Sequence, residues 1–149
     1  MITTEYLPLA CEELAELRWH LGLGHKPEVL RIVPEFPLGY IDDDGELVIE
    51  DRPQPLLGGH GEPWKIDGAL VSILLRRERT RGGAWGLTSR QEIHPDQFDI
   101  TGELLCWLAA KAGMGHRKLD GSILLGYTRF YEEHRLVPLV VRNGVVIWP

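Results

Sequence analysis

Serine, lysine and cysteine are all scarce here: three serines, four lysines and two cysteines in 149 residues. Cys11 and Cys106 form no CxxC pair and are too few for a secreted disulfide scaffold. None of Ser72, Ser89 and Ser122 lies in Gly-x-Ser-x-Gly, and none has a histidine at a triad-like spacing. The six histidines make no H-E-x-x-H, H-x-H or zinc-finger spacing, so neither a metal nor a cofactor is expected. Asp42-Asp43-Asp44 lacks the alternation and the final glutamate of a calcium loop. Gly22-Leu23-Gly24 and Gly113-Met114-Gly115 lack a phosphate-loop lysine and read as stops after helices. No apolar run approaches the roughly 18 residues of a membrane span. The opening Met-Ile-Thr-Thr-Glu-Tyr has no signal-peptide pattern, which makes the cytoplasm the expected location. A formal charge of −6 argues against a general nucleic-acid binder.

What the chain does have is turn punctuation. Asp44-Gly45, Gly82-Gly83 and Asn143-Gly144 each separate apolar, β-branched runs, and such dipeptides supply the positive φ of tight hairpins. If Asp44-Gly45 is a two-residue turn, Tyr40 faces Ile49 and Ile41 faces Val48. Strands are predicted over 29–33, 69–75, 84–93, 123–131, 136–142 and 145–148. The last hairpin is apolar on both faces, which predicts a covered or central pair.

Two helices interrupt the strands. Ala10, Leu14, Leu17 and Leu21 recur at helical spacing over 9–21, with Pro8 at the start and Gly22 at the stop. Cys11 falls in the first turn of this helix and reads as a small core-facing residue. A second helix over 100–112 is expected with Asp99 as its N-cap, Gly113 as its stop and Ile100, Leu104, Trp107 and Leu108 as its buried stripe. The expected fold is one α+β domain over residues 1–149. It has a mostly antiparallel twisted sheet of six or seven strands and both helices on one face.

Two segments are candidates for function. Residues 52–67 form a long loop rich in glycine and proline, and His60 and Glu62 within it are weak candidates for acid–base chemistry or ligand binding. The other segment follows from charge. Residues 35–62 hold eight acids and one base, whereas residues 65–90 hold six bases and two acids. The basic part lies on a hairpin carrying Arg77, Arg79 and Arg81 next to Trp85, and arginine and tryptophan are enriched where interfaces are strongest. Opposite charges on neighbouring strands also pair within a sheet, so the acidic hairpin could absorb these arginines internally.

The reading that follows is a protein-binding module rather than an enzyme: an inhibitor, immunity-type protein or adaptor. Its partner would be another protein or a second copy of itself. The alternatives are a small enzyme or ligand binder using His60, a nucleic-acid contact, and a subunit of a phage or secretion-type assembly.

Overall fold

The computed structural model describes residues 2–6, 9–33, 38–50, 55–57, 71–76, 84–93, 95–130 and 132–148. Eight strands and two helices follow in the order β1 (Ile2–Tyr6), α1 (Cys11–His20), β2 (Leu38–Ile41), β3 (Leu47–Glu50), β4 (Val71–Arg76), β5 (Trp85–Arg90), α2 (Phe98–Lys111), β6 (Ile123–Thr128), β7 (Val137–Arg142) and β8 (Val145–Ile147). Among the described residues six strands make one antiparallel sheet in the order β4-β5-β1-β6-β7-β8, while β2 and β3 pair only with each other. The α+β layout expected from the sequence is therefore the observed one.

The N-terminal strand holds the sheet together. β1 lies between β5 and β6, joining the β4–β5 hairpin to the closing β6–β7–β8 meander. Alternation along the strands then assigns faces. Ser72, Leu74, Leu87, Ser89, Leu139, Val141 and Val146 are buried on one side. There the apolar ones share a single core with Leu17 and Leu21 of α1 and Ile100, Leu104, Leu105 and Leu108 of α2. Between Leu124 and Gly126 the β6–β7 register slips, and the extra residue, Leu125, is buried. A bulge of this kind strengthens the local twist that wraps a sheet over its helices.

The turns show which local signals held. Asn143 and Gly144 have φ of 51° and 73°, the left-handed pair of a type I′ turn, and they close β7 onto β8 as expected. The acidic hairpin differs by one residue: Tyr40 faces Val48 and Ile41 faces Leu47. The cause is the turn. Asp42 C=O accepts from Gly45 N–H, Asp42 N–H donates to Glu46 C=O, and Gly45 alone is left-handed. That is a three-residue loop with a glycine bulge, locked by the Asp42 side chain, which accepts from Asp44 and Glu46 N–H. Gly82-Gly83 and Pro8 lie outside the described residues.

Other expectations need correction. Residues 29–33 are bends rather than a strand, although Ile32 and Val33 are buried. α2 begins at Phe98 after a short 3₁₀ turn, Pro95–Gln97, so Asp99 lies in the first helical turn and is not the cap. Trp107 is only half-buried, and Leu105 and Ala109 complete the buried stripe instead. On α1, Ala10 and Cys11 are exposed, while Glu16, Trp19 and His20 are buried beside Leu17. β8 is an edge strand, not a covered one, and Val145 and Ile147 stand 60% and 46% exposed on its outer face. The sequence pattern reports only that both faces are apolar; which one meets helices depends on strand order.

Candidate interaction surface

Polar groups inside the molecule organise its loops. Glu16 is fully buried on α1, and its carboxylate accepts backbone N–H groups from Arg31, Ile32 (2.8 Å) and Val33 (3.1 Å). It also takes a hydrogen bond from His20 Nε2 at 3.3 Å, four residues on and therefore on the same helix face. A carboxylate can only accept, so Nε2 carries the proton and Nδ1 is bare. Nδ1 is buried without a hydrogen-bond partner among the described residues. Burial pushes the His20 pKa below its ordinary value, outweighing the hydrogen bond and charge of Glu16. The same residue's carbonyl accepts from Leu57 N–H at 2.7 Å, so residues 56–57 are fastened to the end of α1. The ring is buried and its hydrogen bond stays within α1; the Glu16 carboxylate and the His20 carbonyl tie α1 to the two connecting segments.

A second buried group lies beneath β4 and β5. Ser72 and Ser89 face each other across the ladder with their hydroxyls 2.7 Å apart, and Gln91 Nε2 donates to Ser72 Oγ at 3.0 Å. These hydroxyls satisfy one another, and no histidine joins them among the described residues. Cys106 donates its thiol to Gly144 C=O at 3.1 Å, a contact that fastens α2 to the last turn. Burial, together with nearby Glu103, raises its pKa, so this thiol is a poor nucleophile. Among the described residues no group of three or more His, Cys, Asp or Glu could hold a metal ion. No helix there is long and apolar enough to cross a membrane.

The surface is more informative. Comparison with protein-family models, characterised proteins and solved structures returned no match. Function must therefore be argued from this chain's own geometry. The outer face of the six-stranded sheet, opposite the helices, carries exposed Ile73 and Leu75 on β4, Tyr127 on β6, and Val145 and Ile147 on β8. Large apolar side chains collected on one sheet face mark interaction sites more often than chance exposure does.

The basic hairpin begins at the β4 edge. Arg76 is exposed at the end of β4 and pairs in register with Trp85. Trp85 itself is half-buried against the core. Arg77, Arg79 and Arg81 lie outside the described residues, as do His60 and Glu62. No ion pair joins Arg76 or Arg90 to Asp43, Asp44 or Glu46 among the described residues. Among the described residues the β2–β3 ribbon is not hydrogen-bonded into the six-stranded sheet, and it exposes Ile41 and Leu47 beside its acidic turn. The sequence reading missed this apolar pair because its off-by-one register set Ile41 opposite Val48.

Proposed function

We propose that this protein is a non-enzymatic protein-binding module, of the inhibitor, immunity-type or adaptor kind, acting through its basic hairpin and its split-charge surface. One observation carries the reading: the exposed apolar side chains of β4, Ile73 and Leu75, run directly into exposed Arg76 and the arginine-rich segment that follows. Exposed apolar residues followed in the chain by several arginines have the composition found at binding centres. The Ser72 and Ser89 hydroxyls, the Cys106 thiol and the His20 imidazole support the same reading, because each is engaged in holding the fold. The test is capture from lysate of the source organism with the tagged protein as bait, including nuclease and high-salt controls. One stoichiometric protein is expected, lost when Arg77, Arg79 and Arg81 are replaced by glutamate while the fold is kept. A partner that vanishes with nuclease, or binding unchanged by the charge reversal, would overturn the reading.

A further inference from the structure

Among the described residues the two edges of the six-stranded sheet are built differently. β8 is three residues long. It meets β7 across the two-residue Asn143-Gly144 turn, with Arg142 opposite Val145. Such a turn closes on a pair that exchanges hydrogen bonds, so Gly144 C=O and Val146 N–H, on either side of Val145, point away from β7. One side chain of α2 takes both: the Cys106 thiol donates to Gly144 C=O, and Val146 N–H donates to its sulfur. Trp148, just beyond β8, stacks on Phe98, the first residue of α2, with ring centroids 4.4 Å apart. α2 thus occupies groups that a further strand would need.

β4 has none of these guards. Its six residues, Val71–Arg76, pair with β5 in unbroken register. Native edge strands are blunted by proline, bulges and charge, and β4 has no proline, no bulge and no charge before Arg76 at its end. Among the described residues, no backbone hydrogen bond reaches β4 from any element but β5. Alternate peptide groups along it therefore face outward with no ladder partner among those residues. Beside them, Ile73 and Leu75 stand 48% and 64% exposed on the outer face.

We infer that β4 is a binding edge, to which an extended segment of a partner protein adds as a further strand. The inference rests on the protein-binding reading above and deepens it by naming the form in which the partner binds. The chemistry of an edge fixes its occupant, because a row of alternating N–H and C=O groups is matched by another extended backbone. Side chains then select the partner's sequence. Successive residues of an added strand alternate faces, so every second one falls beside Ile73 and Leu75. Those residues are apolar, of the β-branched or aromatic kind that pairs well across strands. Two open edges would invite sheet growth from copy to copy; with β8 guarded, addition at β4 stops after one strand. Two copies, each with a formal charge of −6, also repel, which favours a foreign strand over a second β4.

Peptide display tests this. Random peptides of about twelve residues, long enough to span a strand, are panned on the immobilised chain. The recovered peptides are expected to share alternating apolar residues. A synthetic one, followed by fluorescence anisotropy, should bind wild type about tenfold or more tightly than it binds Ile73→Lys or Leu75→Lys. Both positions are exposed, and an unchanged circular dichroism spectrum shows that each variant keeps the fold. N-methylation separates strand addition from docking on the sheet face. Methyl groups on one alternate set of peptide amides should abolish binding, and on the other set should leave it intact. Amide hydrogen exchange should show β4 gaining protection in the complex and β8 gaining none. No recovered peptide, binding indifferent to both lysine variants, equal binding by the two methylated sets, or a wild-type chain that dimerises through β4 would overturn the proposal. Lysate capture separates the two ideas: a partner protein held while β4 gains no protection refutes strand addition and leaves the binding function standing.

Discussion

Replacing Glu16 probes how this fold ties an irregular segment to its core. In Glu16→Gln the side chain keeps its size and one oxygen, but an amide NH₂ takes the place of the other. Oε1 serves Val33 and His20, and Oε2 serves Arg31 and Ile32, so either amide orientation sets donor against donor. Ile32 and Val33 are buried, and a buried N–H left without an acceptor costs about 1–3 kcal/mol. Some of that loss is offset because a carboxylate no longer has to be buried. The expected destabilisation is about 3 kcal/mol for Glu16→Gln, and similar or larger for Glu16→Ala, where a cavity adds to it. Urea denaturation reads the loss as a lower midpoint at unchanged slope. Amide hydrogen exchange supplies the local check: protection of Ile32 and Val33 should fall further than that of Leu104 and Leu108 in the core of α2. A Gln variant within about 0.5 kcal/mol of wild type, a shift typical of ordinary surface substitutions, would refute the reasoning. Glu16 would then be filling space rather than holding the chain.

His20 gives the fold a pH dependence. Burial depresses its pKa, so the unfolded chain takes up this proton first as pH falls. The stability held by the neutral imidazole is complete above the ordinary value of 6.5 and is lost progressively below it. His20→Gln keeps a donor for Glu16 but does not titrate. It should therefore remove up to about 1.4 kcal/mol per pH unit from the slope of stability below pH 6.5; equal slopes for the two proteins by thermal melting would exclude the mechanism. At the last turn, a Cβ on Gly144 meets nothing within 4 Å, so Gly144→Ala isolates the cost of its φ of +73°. That cost is about 1 kcal/mol, read as a lower urea midpoint with the β7–β8 hairpin intact. A neutral result would mean that this turn relaxes.

The sequence was legible wherever a structure is decided by neighbours in the chain. Asn143-Gly144 carries its own turn chemistry, and Gly22, with φ of 72°, ends α1 as its sequence suggests. β1 was missed, although Ile2, Thr3, Thr4 and Tyr6 are good strand formers. No turn dipeptide marks it, and its partners, β5 and β6, lie far along the chain. Residues 29–33 misled for the opposite reason. Their apolar, β-branched pattern suits a strand, yet the N–H groups of Arg31, Ile32 and Val33 go to a single carboxylate fifteen residues or more earlier. A glutamate inside an amphipathic helix gives no local sign of that role.

The candidate surface divides along the same line. Charge segregation is a property of composition and could be counted from the sequence. The apolar pairs between those charges could not, because each depends on a register or a strand order. A three-residue loop instead of a two-residue turn changed the partner of Ile41 from Val48 to Leu47 and left that pair bare at the ribbon's end. The place of β8 at the sheet edge turned an apolar hairpin from core into surface. Both outcomes make the same physical point. Alternation tells which residues share a face, but only long-range pairing tells whether water, a helix or another molecule lies against it.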